Sequence, residues 1–466
     1  MTRNYGKFAI LAGAIATLLP LTGSAQEFFR EYGTSRSSGG IGPVTANDYS
    51  YQDVAPSDLA PLDPDNLTGG QAPPNFQIGP IRFSIAVGVG VEFNDNVNLS
   101  DKNRQSDIVI RPSLSLDAYM KLSDRNILRF SLGVSYAKYL NHSEYDTDGL
   151  LFAPTSALEY TFGLGTTVLV SLRERFSYQE DIFNIPTLSN EAKYGRYENQ
   201  AGIEIQWDPT AELRASVGYD HYNLWTKEQI FDTQDRSIDT IFFKPSYEIA
   251  PHLRLGLNAS YSFINFDSDQ RHDGGSLLVG PFVQWGITDK LDLFLEGGFQ
   301  SIDFDGNYTP TTLVDQFVKD RNFTAAQDAF VRNAATDSDT SNDSYYIRFE
   351  LNHKPNDIFQ QRLSGSKTLE VGFFTNYYDI YHVEYAFDWK KFRKTEISPT
   401  LFYEYYETSG ELSEKAHRVG AALGIRHYLT NSITLGLDYR FIYKDSNFDG
   451  FDYYQNLGFL SVYYKF

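Results

Sequence analysis

From Arg82 onward the chain alternates apolar and polar residues over stretches of about 9–15 positions, each ending at a turn rich in Asn, Asp, Ser, Gly or Pro. Successive side chains of a strand point to opposite faces, so each stretch reads as a strand with one apolar and one polar face. In the segment from Ile127, one face carries Leu128, Phe130, Leu132, Val134 and Tyr136, and the other Arg129, Ser131, Gly133 and Ser135. Leu253, Leu255, Leu257, Ala259, Tyr261 and Phe263 likewise oppose Arg254, Gly256, Asn258, Ser260 and Ser262. The division recurs at Val419, Ala421, Leu423 and Ile425 against Arg418, Gly420, Ala422, Gly424 and Arg426. About 18 such segments can be counted, each long enough for the roughly 9–11 residues of a tilted membrane strand. Strands of a soluble sandwich average about 5–6 residues and bury their apolar face. Here the polar face is crowded with small and charged groups, so the apolar face is the one left to meet lipid.

The connections alternate between two kinds. Short ones are Ser123-Asp124-Arg125-Asn126, Gly163-Leu164-Gly165, Asp208-Pro209-Thr210, Ala250-Pro251-His252, Thr288-Asp289-Lys290 and Thr430-Asn431-Ser432. Longer, acidic ones cover 141–149, 180–195, 226–236, 268–275, 304–343 and 445–450. The pattern predicts an all-β fold: a transmembrane antiparallel up-and-down β-barrel over 81–466, of about 18 strands with 16 as the fallback. Its short turns would be periplasmic and its long loops external.

Composition agrees by exclusion. The chain has no cysteine, which removes disulfides, thiolate metal sites and a cysteine nucleophile. After residue 25 no run approaches the roughly 18–20 apolar residues of a spanning helix. Tyr 33, Phe 35 and Gly 35 suit strands and tight turns. The net charge of −20 argues against a nucleic-acid partner.

Residues 1–25 read as a cleaved signal peptide: Arg3 and Lys7 precede an apolar run from Phe8 to Leu21, which ends in Gly23, Ser24 and Ala25. Seven prolines then fall between Pro43 and Pro80, so 26–80 is expected to be a disordered, flexible periplasmic extension or a plug. Export to a bacterial outer membrane follows, with outer-membrane lipid and lipopolysaccharide as surroundings and periplasmic export partners as candidates for 26–80. In the last segment Leu460, Val462, Tyr464 and the terminal Phe466 share one face. Such an aromatic-ended strand is the expected assembly signal for the barrel-assembly machinery.

The stretches GVGVEFNDNVNLSD (Gly88 to Asp101) and TNYYDIYHVEYAFDWKKF (Thr375 to Phe392) resemble the beta-barrel porin type 2 family over roughly 80–466. The resemblance implies an outer-membrane barrel of unspecified cargo, some of whose relatives accompany exopolysaccharide export systems.

Catalytic parts are sparse. There is no HExxH, GxSxG or P-loop, and the eight histidines are scattered. His382 and Glu384 share a strand face as a His/acid dyad would, a spacing that is also routine in a polar lumen. Asp445, Asn447, Asp449 and Gly450 match half of a calcium loop, but Asn456 stands where the bidentate Glu belongs, so an acidic hairpin is the reading. No enzyme activity, cofactor or metal is expected. The connection 304–343 carries helix starts at Thr309-Pro310, ahead of Leu313, Val314, Phe317 and Val318, and at Thr324 with Gln327, ahead of Ala329, Phe330 and Val331. Folding inward across the pore and packing outside as a lid both remain open.

Candidate pore-lining residues on the polar faces are Arg111, Asp117, Arg129, Arg214, Asp220, Arg254, Asp292, Glu296, Arg348, Glu350, Glu384, Asp388, Arg418, Arg426, Asp438 and Arg440. Charges in a hydrated lumen avoid the cost they would meet in lipid. Tyr377, Tyr378, Tyr381, Tyr403, Tyr405, Tyr406, Tyr453 and Tyr454 are expected as interfacial girdles or as sugar-stacking platforms. Together these features predict a passive porin-like channel for small hydrophilic solutes or ions. The alternatives are an exopolysaccharide export conduit and a structural or adhesive barrel with a closed lumen.

Overall fold

A computed structural model describes residues 76–466, apart from 124, 183–184, 308–324, 326–327, 330–331, 333–338, 393 and 411–412. The signal-peptide and most of the extension readings, on 1–75, lie outside the described residues. The strands in chain order are β1 Phe76–Ile78, β2 Ile81–Asn94, β3 Asp107–Ser123, β4 Asn126–Ser135, β5 Lys138–Tyr139, β6 Leu151–Phe152 and β7 Ala157–Leu164. There follow β8 Val168–Gln179, β9 Arg196–Trp207, β10 Leu213–Thr226, β11 Arg236–Ala250, β12 Leu253–Phe266, β13 Gly274–Thr288 and β14 Leu291–Phe304. The chain ends with β15 Ser341–Asn356, β16 Phe359–Val371, β17 Tyr377–Phe392, β18 Thr395–Thr408, β19 Lys415–Tyr428, β20 Ile433–Ser446 and β21 Tyr453–Lys465.

Eighteen long strands form one closed antiparallel barrel. Each pairs with its sequence neighbours, and β2 closes the ring on β21 from Ala86↔Lys465 to Asn94↔Leu457. Closure satisfies every ladder without leaving an edge, which a sheet in lipid requires. The short pieces complete the ladders: β5 continues β4 along β3, and β6 continues β7 between β4 and β8. β1 pairs with Ile81–Phe83 of β2, just below the stretch β21 covers, so residues 76–80 belong to a hairpin and not to the extension as expected.

Short turns gather at one rim and longer loops at the other. The short rim carries register shifts at Lys121/Ser123, Glu248/Ala250, Gly286/Thr288, His353/Asn356 and Trp389/Phe392. Bulges concentrate at barrel rims because the extra residue bends the strand into its turn. Outward faces present Leu255, Leu257, Tyr261 and Phe263 on β12, and Leu437 and Tyr439 on β20, all exposed. Inward faces hold the polar set. Several inner glycines exist to seat rings: a Cβ on Gly256 would stand 2.2 Å from Phe282 Cζ, and one on Gly218 2.2 Å from Phe242 Cζ. The rings lean across the neighbouring strand over these glycines and thicken the inner wall.

Candidate functional site

The ladder register decides which inward charges meet. All sixteen residues expected on the polar faces point inward, and most are claimed by a neighbour. Arg111 Nε lies 2.6 Å from Glu92 Oε2, Arg214 Nε 2.9 Å from Asp208 Oδ1, Arg254 Nη2 3.1 Å from Glu248, and Arg426 Nη1 2.7 Å from Asp438. Glu384 receives Arg362 at 2.8 Å, and Asp220 receives both Nη2 and Nε of Arg173. Glu296 accepts from Asn258 Nδ2 at 2.7 Å and Tyr346 Oη at 2.9 Å, facing Arg348 across the ladder. Glu350 takes Asn352 Nδ2, Asp388 takes Ser398 Oγ, and Arg440 donates to Gln455 Oε1 at 3.1 Å. Arg129 stands 3.8 Å from Glu159. Asp117 faces Ser84 and Ser131, and Asp292 sits exposed near the short-turn rim, facing Asn352.

His382 does not pair with Glu384. Its Nδ1 meets Glu404 Oε1 at 3.1 Å, and Arg418 Nη1 holds the other oxygen of Glu404 at 2.5 Å. A carboxylate already neutralised by a guanidinium is poorly placed to activate an imidazole as a base. The sequence reading passed over Arg173, Arg362 and Glu404 although the same two-residue alternation marks each of them as inward.

Toward the long-loop rim the inner wall turns apolar. Loops 95–106, 180–195, 227–235, 372–376 and 447–452 fold into the mouth and bring Leu99, Ile182, Ile185, Leu188, Tyr194, Phe231, Phe373, Phe374 and Phe451 together. These pack on inward residues of the wall such as Leu224, Ile238, Ile264, Ile302 and Ile442. Three rings form the centre, with Tyr194–Phe231 at 4.9 Å, Tyr194–Phe373 at 5.4 Å and Phe231–Phe373 at 5.8 Å between centroids. Hydrogen bonds tie the loops to one another across the mouth. Asn190 N donates to Leu99 O at 3.1 Å and its Nδ2 to Gly450 O at 2.8 Å. Gln234 Nε2 donates to Phe373 O at 2.8 Å, and Arg271 to Gly372 O at 3.0 Å and Thr375 O at 3.1 Å. Lys444 Nζ on the wall reaches Ser189 Oγ at 2.8 Å and Glu414 Oε1 at 3.0 Å.

This plug was not expected from these loops. The two segments named as candidates were 304–343, of which the described part includes helical Ala325, Asp328, Ala329 and Arg332, and 26–80, which is almost wholly outside the described residues. The half calcium loop belongs to the plug's rim, where Asp449 pairs with Lys102 at 3.3 Å. The tyrosine girdle divides: Tyr381, Tyr403 and Tyr454 are exposed outward, while Tyr377, Tyr378, Tyr406 and Tyr453 are buried. In Tyr405–Tyr406 and Tyr453–Tyr454 the adjacent residues face opposite ways, so only one of each pair can join an outer girdle, whereas Tyr377 and Tyr378 are both buried beside the 372–376 loop.

The lumen is filled unevenly. On β12, β18 and β20 the inward Asn258, Ser398 and Asp438 are at most 1% exposed. On β3 and β7 the inward Ser115 is exposed and the Glu159 side chain is 43% exposed. A cavity runs beside this wall under the 136–156 and 180–195 loops, lined by Glu92, Arg111, Ser135, Tyr139, Glu180 and Lys193. Lys193 Nζ lies 3.0 Å from Glu180 Oε1. These side chains present both hydrogen-bond donors and acceptors to the cavity. On the last strand Leu460, Val462, Tyr464 and Phe466 all face outward and are exposed.

No family model matches the chain, so the family resemblance stands on residues 88–101 and 375–392 alone. No curated protein matches it either. Among solved structures it is similar to Acinetobacter baumannii OccAB4, at 14% identity over 82% of this chain and 98% of that one, with a TM-score of 0.41. The outer membrane protein opdK from Pseudomonas aeruginosa gives 11% identity, 82% and 99% coverage and a TM-score of 0.43. Pseudomonas aeruginosa OccK11 (OpdR) gives 11%, 83% and 96%, and 0.42. The fold rests on the chain's own closed strand ladder, not on these likenesses.

Proposed function

We propose that this chain is a porin-like channel of a bacterial outer membrane, passing small hydrophilic solutes or ions passively through a lumen narrowed by its own loops. The observation that carries the reading is the uneven filling of an 18-stranded barrel: a polar, ion-paired interior with inward residues left exposed on β3 and β7 and a polar-lined cavity beside β2 to β8. An 18-stranded barrel is too wide for wall side chains alone to fill, so the loops decide how much water it holds. The exposed outward belt supports the membrane setting, and the mixed Arg and acid lining supports mild ion preference. The outward face of β21, ending at Phe466, supports its role as the assembly signal. No catalytic role is proposed; the His382 imidazole, which shares a strand face with Glu384, is instead absorbed into the Glu404–Arg418 cluster.

The apolar plug favours one second reading, a structural barrel closed inside. Planar-bilayer recording of the purified full chain separates the two. Steady conductance supports the channel; silence, persisting after the plug is loosened, supports the closed barrel.

A further inference from the structure

Every long strand has a partner on both sides, but one ladder stops short of the long-loop rim. The pairing of β15 with β16 runs from Asn356↔Phe359 to Ile347↔Lys367 and ends, although β15 continues to Ser341 and β16 to Val371. The ladders on either side reach the rim, with Asp303↔Ser341 joining β14 to β15 and Val371↔Tyr377 joining β16 to β17. Side chains hold the seam in place of a ladder. Gln300 on the inner face of β14 reaches past β15, its Nε2 donating to Leu369 O at 3.0 Å and its Oε1 accepting from Leu369 N at 2.9 Å. Leu369 and Val371 follow Lys367 on the outward side of β16, yet both are 1% exposed and belong to the plug cluster with Ile302 of the β14 inner face. The tip of β16 is therefore drawn in behind β14 and β15, and the wall overlaps here instead of pairing. Lys367 Nζ stoppers the seam, donating to Ser344 Oγ and pairing with Asp379 at 2.9 Å. Outside it, Tyr345 of β15 and Tyr381 of β17 lean together over the ammonium, their ring centroids 4.7 and 5.8 Å from it and their hydroxyls 3.5 Å apart.

We propose that this seam is a lateral portal, through which a single alkyl chain of an amphiphile in the outer leaflet reaches the apolar cluster beneath the loops. Opening a complete ladder toward lipid would strip several backbone groups of their hydrogen bonds where no water can replace them. Opening this seam asks only for side chains to turn. Both ends of the route are apolar: Phe299, Tyr345 and Ile347 are exposed on the outer belt, and Leu369, Val371 and Phe373 lie behind the seam. An open cavity of about 420 Å³ marks the outer end, lined by Gly298, Phe299, Asp343, Ser344 and Tyr345. A run of methylene groups gives up little in leaving lipid for such a cluster, while a polar head can stay at the rim beside the exposed Asp343. This route leads from the membrane and not along the polar lumen, so the portal does not depend on the channel reading.

The test places single thiols in a chain that has none of its own. Leu369→Cys puts one behind the seam, and Ile264→Cys puts one in the same cluster behind ladders that are complete on both sides, at Ile238 and Gly274. The full chain in liposomes is treated either with dodecyl methanethiosulfonate, which stays in the bilayer, or with a charged, membrane-impermeant methanethiosulfonate, and modification is followed by mass spectrometry. The dodecyl reagent is expected to modify Leu369→Cys at least tenfold faster than Ile264→Cys. Adding Gln300→Ala should raise the rate at Leu369→Cys by roughly another tenfold, the factor that follows from losing two hydrogen bonds, and leave the rate at Ile264→Cys unchanged. Val371→Cys, behind the same seam, repeats the comparison with a second thiol, and heat-modifiable migration on gels selects the variants that fold. Equal rates in front of the complete and the interrupted ladder would overturn the portal. So would modification of Leu369→Cys by the charged reagent as fast as by the dodecyl one, because the path would then lead from water through the loops.

Discussion

Lys444→Met probes the plug at its firmest attachment. Lys444 is fully buried, pairs with the equally buried Glu414 at 3.0 Å and donates to Ser189 Oγ of the 180–195 loop at 2.8 Å. Its ammonium also lies 5.5 Å from the Tyr406 ring centroid and 5.9 Å from that of Phe451. Methionine fills much of the same volume but leaves the Glu414 carboxylate without its ammonium partner, with Ser446 Oγ still donating to it at 2.8 Å. Removing one partner of a buried pair costs about 3–5 kcal/mol. If the loop is released to pay that cost, a loss of about 3 kcal/mol shifts the closed-to-open ratio of the plug roughly a hundredfold. The strand ladder is not touched, so the variant should still run as a folded, heat-modifiable band. In single-channel recordings it should show larger and more frequent openings than the parent. Lys444→Met combined with Glu414→Leu should return toward parental behaviour, since replacing a whole buried pair by apolar residues is close to neutral. Parental recordings from the single variant, or a double variant as open as the single, would refute the latch.

Three other outcomes follow from the same structure. Gly256→Ala places a Cβ against the Phe282 ring and should destabilise the barrel by about 1–3 kcal/mol in urea unfolding from liposomes, whereas Ala259→Gly on the outward face should not reproduce that loss through a clash. Deleting Phe466, whose N donates to Ile85 O at 3.1 Å beside the β2–β21 seam, should lower the amount of folded protein in outer-membrane fractions, and parental levels would count against the assembly role. Acidification should tighten the plug. Burial raises the carboxyls of Asp235 and Asp452 above the ordinary Asp range, against the lowering effect of their hydrogen bonds from Thr226 and Ser446. A raised folded-state value means that the packed loops bind protons more readily than open ones. Their stabilisation is complete below the ordinary Asp value of about 3.9 and is lost as pH rises through the raised values. Mean current should therefore fall as pH is lowered from 7 toward 4, and a rise would contradict the assignment.

The barrel was legible because its rule is local. Period two needs only neighbours in sequence, and the lipid and lumen faces of Leu255 and Arg254, or of Leu437 and Asp438, follow from it directly. Pairing partners were less legible, since they depend on register: His382 shares a face with Glu384 but meets Glu404 on the next strand. The plug was missed because it is built from segments that read as ordinary connections. Gly372–Asn376 is a short link between two strands, yet it carries Phe373 and Phe374 into the centre of the mouth. A signal was present. Leu224, Ile264, Ile302 and Ile442 are apolar residues at inward positions near the long-loop ends of four strands, where the alternation elsewhere demands polar ones. An apolar ring on the inner wall needs something to cover it, and the loops are within reach.

The channel reading requires water and solutes to pass along the polar-lined cavity beside β2 to β8. The chain has no cysteine, so single substitutions can be labelled cleanly. Ser135 borders that cavity, whereas Ser260 lies on the inner face of β12 and is buried. Adding a charged, membrane-impermeant methanethiosulfonate during bilayer recording should reduce the current of Ser135→Cys and leave Ser260→Cys unchanged. A current that ignores modification at 135 and responds at 260 would place the pathway elsewhere and contradict a route beside β2 to β8.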